Sequence, residues 1–418
     1  MKRIIISCLM LAAGTASVLA QGGATSPYSQ FGLGILADQS QGASRGMNGV
    51  GIALRNTIQV NAQNPASYSS VDSLTMLIDA GVTGQLSHFK ENDVRLNTSS
   101  ASFDYAVASF RAFRNFGVAL GVLPFSNIGY EFSTINHLDD ENGSVTSTYS
   151  GSGGLHQVFL GFGWRVLKPL SVGVNASYLW GDYSKSVVTS GNSQLHAITK
   201  SYSAEIQSYK LDFGVQWMQS LSRQDMLTLG ATVGLGHKLG ADAVCTTSNT
   251  TNGTSTPETV TDAFELPMSY GVGAALNHRN QLLLAADARV QKWGGKSFPE
   301  IRNGKYVSSD QLLCDNMNLS VGVDWLPTLD PYNRHFLSHM HYRAGVGYAT
   351  PYYKINGQDG PKELTVSLGF GMPLGRSTLN VSGQWARRST TNYILDNTFR
   401  VTIGFTFNER WFAKWKVD

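Results

Sequence analysis

The stretch FRVTIGFTF, Phe399 to Phe407, indicates the fold class of this 418-residue chain. Apolar residues occupy every second position of it, and Arg400, threonines and a glycine stand between them. Because successive side chains of a strand point to opposite faces, this alternation predicts a strand with one apolar and one polar face. Two folds use such a strand. In a soluble sandwich the apolar face meets a core, and in a membrane barrel it meets lipid.

The rest of the chain repeats this pattern often enough to predict fourteen strands. Each has at least the roughly 9–11 residues that a tilted strand needs to cross a bilayer. The predicted strands lie near 74–86, 101–112, 115–127, 155–166, 170–182, 203–219, 225–239, 264–276, 281–291, 315–326, 339–349, 363–373, 377–387 and 398–408.

The lengths of the connections separate the two folds. Short connections, such as 113–115, 167–169 and 374–376, alternate along the chain with long polar ones; 327–338 is long where a short one is expected. Outer-membrane barrels have short turns at one end and long loops at the other, whereas a sandwich has no reason to sort its loops in this way. We therefore predict an all-β fold, a transmembrane antiparallel β-barrel over 74–408, with Arg400 directed into its lumen.

The first residues predict export. Lys2 and Arg3 precede an apolar run, and small residues follow up to Ala20, which is the pattern of a secretory signal peptide over 1–20. A lipoprotein reading of Ile5–Cys8 would leave too short an apolar region. Basic and acidic residues are nearly balanced in the mature chain, so composition offers no support for nucleic-acid binding. With no later apolar run long enough for a spanning helix, we expect the outer membrane of a Gram-negative bacterium.

The segment 21–73 lies outside the strand pattern. It is rich in Gly, Ser, Asn and Gln but contains short apolar clusters, which is unusual for a plain linker. Fourteen strands enclose a lumen that side chains from the wall do not fill. We predict that 21–73 folds inward as a hatch or plug, and that 409–418 forms a periplasmic tail, in which aromatic and lysine residues suit an interfacial anchor or a docking point.

The segment 21–73 contains a glycine-rich stretch that begins at Gly42 and an Asn64-Pro65-Ala66 element, and the third predicted strand contains Pro124-Phe125 followed by Tyr130. In these two stretches, and in the count of fourteen strands, the chain resembles the FadL-like outer-membrane transporters of long-chain fatty acids and other hydrophobic compounds. The resemblance assigns to the hatch Gly42, Ser44, Arg45, Gly46, Asn64, Pro65 and Ala66, and to the strand-three kink Pro124, Phe125, Ser126 and Tyr130.

The resemblance implies a lateral opening around Pro124–Ile128, through which a ligand leaves the lumen for the bilayer. Proline donates no hydrogen bond to a strand ladder, so Pro124 is compatible with a local break in the wall. The alternative is that Pro124 simply ends the third strand, without any opening.

Other motifs have simpler explanations. Gly42–Gly46 matches the G-x-S-x-G pattern of hydrolases, but no strand precedes it as that motif requires. His339 and His341 have no third metal ligand at a familiar spacing. We therefore expect no enzyme activity, no cofactor and no metal. Cys245 and Cys314 both fall in or beside predicted outer loops, so a disulfide between them remains open in an exported chain.

Two functions fit the sequence. The first is passive uptake of a hydrophobic or amphipathic small molecule through the plugged lumen, with a lateral exit near strand three. The second is a non-transporting plugged barrel that serves as a scaffold or subunit of a larger outer-membrane assembly or secretion complex. The expected partners are membrane lipid, a hydrophobic ligand in the first case, and other outer-membrane proteins in the second.

Overall fold

A computed structural model of the protein describes residues 26–91, 93–137, 144–191, 197–249, 255–330, 332–389 and 393–410. The predicted signal peptide over 1–20 lies outside these residues. So do residues 411–418 of the predicted tail, whereas Glu409 and Arg410 belong to the last strand.

The described residues form a closed antiparallel barrel of fourteen strands, as predicted. Neighbours along the chain pair with each other, and the first strand pairs with the last from Thr75–Arg410 to Lys90–Leu395. The strands are β1 Thr75–Glu91, β2 Val94–Phe113, β3 Phe116–His137, β4 Ser144–Arg165, β5 Leu170–Gly191, β6 Ile198–Ser220, β7 Asp225–Gly234, β8 Ser269–His278, β9 Leu282–Gln291, β10 Asn316–Trp325, β11 His341–Ala349, β12 Lys362–Leu374, β13 Ser377–Ser389 and β14 Leu395–Arg410.

The alternation in β14 has the orientation expected of a membrane barrel. The outward side chains of Phe399 and Ile403 are 46% and 48% exposed, whereas Thr402 and Thr406 are 5% and 1% exposed on the lumen side. Similar outward apolar residues recur around the wall, including Trp217, Val321 and Leu368. A surface of this composition is stable against acyl chains and not against water.

The first six strands are longer than predicted. Long loops predicted at 87–100, 128–154 and 183–202 are largely strand, and β1 and β2 are joined by residues 92–93 alone. Strand segments beyond the lipid need no apolar face, so hydrophobic alternation fades before the hydrogen-bonded ladder ends. We call the two ends of the barrel the loop end, which includes Asp93, and the turn end, which includes residues 114–115.

The loop end carries further secondary structure. Strands Ala243–Asn249 and Ser255–Val260 pair with each other, and the first also extends the β6 ladder. Part of the connection between the seventh and eighth predicted strands is therefore strand. Two smaller hairpins pair Phe298–Arg302 with Lys305–Ser309 and Lys354–Ile355 with Gln358–Asp359. Phe298 and Tyr306 of the first hairpin and Ile355 of the second join a buried cluster at this end of the barrel. The cluster also contains Phe264, Trp293, Tyr352 and Tyr353.

Residues 26–73, which we call the inner segment, lie against the inner faces of the strands. The segment contains the 3-10 helices Pro27–Gln30 and Pro65–Ser70, the short strand Ile35–Leu36 and the helix Gly42–Gly46. Ser26 contacts Asp396 near the loop end, and the backbone of Tyr68 adjoins Gly117 near the turn end, so the segment runs along the lumen. Across the described ranges, helices are too short or too polar to cross a membrane.

Candidate functional site

Wall glycines make room for the inner segment. A Cβ atom on any of seven inward glycines would lie less than 3.0 Å from a backbone atom of the segment. Real Cβ atoms essentially never approach backbone that closely, so a larger residue at these places requires the segment or the wall to move. The seven are Gly117, Gly163, Gly173, Gly230, Gly322, Gly345 and Gly369.

The NPA element connects two parts of the inner segment to the wall. The Asn64 side chain accepts a hydrogen bond from the amide of Ala66 at 3.1 Å. Its Nδ2 donates to the carbonyl of Ile52 at 2.7 Å and to that of Val215 on β6 at 3.2 Å. Asn64 caps the 3-10 helix that begins at Pro65. Proline suits the first position of a helix because the backbone N–H that it lacks would have no partner within the helix there. The asparagine thereby fixes a helix start against the wall.

The helix Gly42–Gly46 lies between β1 and β2 on one side and β12 on the other. The Gly42 amide donates to Tyr105 Oη at 2.7 Å, and Ser367 Oγ donates to the Gly46 carbonyl at 3.1 Å. The Ser44 carbonyl accepts from the Gly49 amide at 2.8 Å and ends the helix. Ser44 therefore has a backbone role. A nucleophile elbow places its serine at a sharp turn directly after a strand, whereas Ser44 lies within the helix and the short strand Ile35–Leu36 ends well before it.

Arg45 links the helix to two carboxylates, of which Asp104 is buried and Asp38 is partly exposed. Its guanidinium lies 3.6 Å from the carboxylate of Asp38 and 3.6 Å from that of Asp104 on β2. Its Nε also donates to the Ser40 carbonyl at 3.1 Å. Burial opposes ionisation of Asp38, but Arg45 and the hydrogen bond from Ser40 outweigh it and lower the pKa of Asp38 below its ordinary value.

Asp287 of β9 holds the next part of the inner segment. One of its carboxylate oxygens accepts from the amides of Gly51 and Ile52, at 2.6 and 2.9 Å. The carboxylate is buried, and Arg289 Nη2 lies 3.6 Å from it. Charge-assisted bonds to backbone amides are stronger than neutral ones, so Asp287 is a main attachment point of the segment.

The ladder between β2 and β3 ends part of the way along the two strands. Their ladder starts at the turn end, Phe113–Phe116, and its last described pair is Ala106–Val122. Beyond that pair each of the described strands has one neighbour in the wall: β2 pairs with β1 as far as Val94, and β3 pairs with β4 as far as His137. Both strands therefore have an edge without the ladder partner that a closed wall supplies.

The inner segment occupies the free edge of β3. Its strand Ile35–Leu36 pairs antiparallel with β3, with Ile35 opposite Asn127 and Leu36 opposite Ser126. The Ala37 amide donates to the Phe125 carbonyl at 2.9 Å. Buried backbone groups need hydrogen-bond partners, and this pairing supplies them where β2 has separated from β3.

Pro124 does not end the third strand. The β3–β4 ladder runs on to His137–Ser144, with a bulge between Pro124 and Ser126. The alternative in which proline terminates the strand is therefore wrong, because a bulge absorbs the missing donor and pairing resumes after it. The Pro124 carbonyl accepts from Gln39 Nε2 of the inner segment at 2.7 Å, and Tyr130 lies in the loop-end aromatic cluster.

Two cavities flank residues 36–39 of the inner segment. The larger, of about 320 Å³, reaches the facing edges of β2 and β3 through Phe103, Pro124 and Asn127 and is mostly polar elsewhere. Its charged lining side chains are Asp38, Arg45, Asp104, Asp287, Arg289, Glu363, Arg388 and Arg400. The smaller, of about 150 Å³, has an apolar wall from Leu36, Leu123, Phe125 and Phe159, and Lys210, Asp212 and Arg289 also line it.

Two side chains that the sequence analysis does not single out hold the start of the inner segment. Lys185 of β5 is buried, and its Nζ donates to the carbonyls of Gln30 and Gly32 and lies 4.4 Å from the ring centroid of Tyr183. Tyr352 Oη donates to the Gly34 carbonyl. An inward lysine in a long strand was visible in the sequence, but the carbonyls it meets come from 150 residues away in a segment without regular periodicity.

Cys245 and Cys314 are free, so the disulfide considered from the sequence is not formed. Cys245 is paired across to Glu258 in its hairpin, whereas Cys314 Sγ lies 3.4 Å from the Pro351 carbonyl. Burial, and next the charge of Asp359, raise the pKa of the Cys314 thiol to about 11.

The paired histidines serve separate structural contacts. His341 Nδ1 lies 2.8 Å from Asp324 Oδ1, and His339 Nε2 lies 2.8 Å from the Asn333 carbonyl. In the part of the chain that the structure describes, no three metal-ligating residues come together.

Comparison with known proteins identifies both a family and a fold. The sequence model of the BamG family matches residues 1–418. No curated protein matches the chain by sequence. The Ralstonia pickettii toluene transporter TbuX superposes with a TM-score of 0.61 at 14% identity, covering 90% of this chain and 99% of TbuX. A Pseudomonas aeruginosa FadL homologue gives 0.61 at 12% identity, covering 90% and 98%. The Pseudomonas putida toluene transporter TodX gives 0.60 at 14% identity, covering 90% and 100%. The FadL-like fold predicted from the sequence is thereby confirmed.

Proposed function

The chain belongs to the BamG family, and we propose that it is an outer-membrane barrel for passive passage of amphipathic or hydrophobic small molecules. In this proposal a molecule enters at the loop end, reaches the larger cavity beside the inner segment, and leaves sideways between β2 and β3. The observation that carries it is the end of the β2–β3 ladder at Ala106–Val122, with the free edge of β3 paired to Ile35–Leu36.

The lining of the two cavities supports an amphipathic ligand over a purely apolar one. The larger cavity has acidic and basic side chains in equal number, and among them Arg400 bonds to the neutral Gln85 and Gln384 at 3.1 and 3.0 Å. The smaller has an apolar wall beside the proposed exit. A molecule with one charged end and an apolar body would place its two parts in these two environments.

Exit requires the inner segment to leave the β3 edge locally. The pairs Ile35–Asn127 and Leu36–Ser126 and the hydrogen bond from Gln39 to Pro124 would have to open. Each such bond contributes roughly 0.5–1.5 kcal/mol net, so opening a few of them is within reach of ligand binding. Ligand would then shift the population of open and closed segments by its higher affinity for the open one. Nothing in this scheme needs an energy source.

The structural neighbours lend support by analogy only. TbuX and TodX are described as toluene transporters, and their barrels superpose over nearly the whole of this chain. A shared fold at this identity does not transfer a ligand, so their relevance here is the common fold alone.

A reversible lock tests the proposal. In a Cys245→Ser, Cys314→Ser background, Leu36→Cys with Ser126→Cys would join two residues that lie opposite each other in the ladder. We expect the oxidised lock to reduce uptake of a fluorescent dodecanoate by intact cells to the level of cells without the protein, and reduction to restore it.

A matched crosslink elsewhere in the wall is the control. Leu160→Cys with Ala176→Cys joins β4 and β5 at outward positions that already face each other and stay together in the proposed cycle. It should leave uptake unchanged. If the Leu36–Ser126 lock closes fully and uptake continues, or if uptake does not depend on the protein at all, the transport proposal is wrong.

A second function is supported by the tight fit of the inner segment against the barrel wall. The inner segment is bonded to the wall by Asp287, Asn64 and Arg45, and wall glycines match its backbone closely. Such a plug suits a permanently closed barrel that acts as a scaffold or subunit of a larger outer-membrane assembly. Two results would favour this function over transport. One is the recovery of partner proteins in stoichiometric amounts after purification in mild detergent. The other is uptake that is the same whether the Leu36–Ser126 disulfide is oxidised or reduced.

A further inference from the structure

The lipid-facing wall has a depression near the turn end of β10–β13. Its volume is about 570 Å³, within the roughly 300–1,000 Å³ range of small-molecule sites. Two rows of outward side chains that lie across from each other in the ladder form it: Val323, Ala344, Leu368 and Gly383 in one row, and Trp325, Tyr342, Phe370 and Val381 in the next.

The depression follows from the sizes of these side chains. Ala344 and Gly383 are small, and each stands next to the larger Leu368, so they form the floor. Trp325 and Tyr342, whose ring centroids are 6.0 Å apart, border the floor toward the turn end. The result is an apolar slot that opens toward the bilayer and ends at aromatic residues, as expected near a membrane interface.

The long connection between β10 and β11 lies at the foot of this slot. Tyr342 Oη donates to the carbonyl of Leu337 at 3.1 Å, which fixes the 3-10 helix Phe336–His339 beside the slot. Leu329, Phe336 and Leu337 are more than half exposed in this connection. Apolar side chains exposed directly below an aromatic border are suited to the interfacial zone of a membrane.

Cationic groups occur at the same end. Arg334 in the connection and Arg376 in the turn between β12 and β13 are exposed. The connection has one acidic residue, Asp330, so the two arginines leave this end of the slot with a net positive charge. The chemistry at the foot of the slot therefore favours a negatively charged group.

We propose that this surface binds one anionic phospholipid of the inner leaflet. An acyl chain fills the slot over Ala344, and the phosphate lies toward Arg334 and Arg376. The slot is on the face of the barrel that acyl chains solvate. Its apolar walls match an acyl chain of a phospholipid, and its basic rim matches the phosphate. The proposal depends on the fold and is independent of transport.

Lipid retention tests it. The full-length protein, purified from outer membranes in mild detergent and washed extensively, should retain about one phospholipid per barrel, enriched in anionic species, by quantitative lipid mass spectrometry. Ala344→Phe fills the floor and should remove it. Arg334→Gln with Arg376→Gln should keep a bound lipid but abolish the anionic preference.

The control is Ala176→Phe, an outward and exposed alanine on β5 away from the slot, which should leave retention unchanged. A photoreactive residue in place of Leu368 should give lipid adducts in whole cells. Equal lipid retention by the parent and Ala344→Phe proteins, or a photo-adduct to a protein chain, would overturn the proposal; the second result would show that this face docks a protein.

Discussion

Removal of the Asp287 carboxylate should release the middle of the inner segment. One oxygen of this buried side chain accepts from both the Gly51 and the Ile52 amides. Asp287→Ala removes both bonds and leaves two backbone donors without that acceptor. The substitution changes no backbone hydrogen bond between strands of the wall. We therefore expect it to weaken the attachment of the inner segment and to leave the barrel intact.

The size of the effect follows from the bonds lost. Hydrogen bonds to a charged group contribute roughly 1.5–3 kcal/mol each, so Asp287→Ala should weaken attachment of the segment by about 3–6 kcal/mol. This corresponds to about 100- to 10,000-fold in the local opening equilibrium. Asp287→Asn keeps an acceptor without its charge, and we expect a loss of only about 1–3 kcal/mol.

Hydrogen exchange of peptides that cover residues 49–54 measures this directly, because local opening sets the exchange rate of protected amides. Asp212→Ala is the matched control: Asp212 is also an inward carboxylate, but its ion pair is with Lys210 of the same strand. Unchanged protection of Gly51 and Ile52 in Asp287→Ala, or equal loss in Asp212→Ala, would refute the reasoning.

Three further changes have defined outcomes. Gly173→Leu places side-chain atoms where the backbone of Pro65 lies, so either the inner segment is displaced, with new protease cleavage within it, or the barrel fails to fold; a folded barrel with a protected segment would contradict the close fit. Lys185→Met removes the cation that holds Gln30 and Gly32, and it should raise exchange in 28–34 while leaving 64–70 unchanged. A thiol reacts as its thiolate, and the pKa of Cys314 is about 11. Alkylation of Cys314 at pH 8 should therefore be roughly 100-fold slower than that of an ordinary exposed cysteine, and its rate should rise about tenfold per pH unit up to that pKa. A rate typical of a free thiol at pH 8 would contradict the burial of Cys314.

The barrel was predictable because lipid imposes a simple pattern. Every outward residue within the bilayer must be apolar, so strands such as β14 and β12 appear in the sequence as strict alternation. The same rule explains where prediction failed. Beyond the lipid the outward residues of β3 and β5 need not be apolar, and the strand ends disappeared from the pattern although the ladder continues to His137 and Gly191.

The interior depends on contacts over long sequence distances. The NPA element and Pro124 could be singled out because proline and asparagine have distinctive backbone roles. The Arg45–Asp104 ion pair and the bond from Asp287 to Gly51 could not, since their partners are separated by 59 and 236 residues. Their identities follow only from the register of the wall against a segment without period.

The most direct test is to determine which segment lies beside Ser126 at the free edge of β3. If the β2–β3 ladder continued past Ala106–Val122 without a break, its register would bring Ser102 opposite Ser126; in the structure Leu36 of the inner segment is there instead. In isolated outer membranes, with the native cysteines replaced by serine, we predict that Leu36→Cys with Ser126→Cys forms a disulfide readily under mild oxidation. Ser102→Cys with Ser126→Cys should not. Efficient bonding between positions 102 and 126, with none between 36 and 126, would mean a closed wall and would contradict the proposed lateral exit.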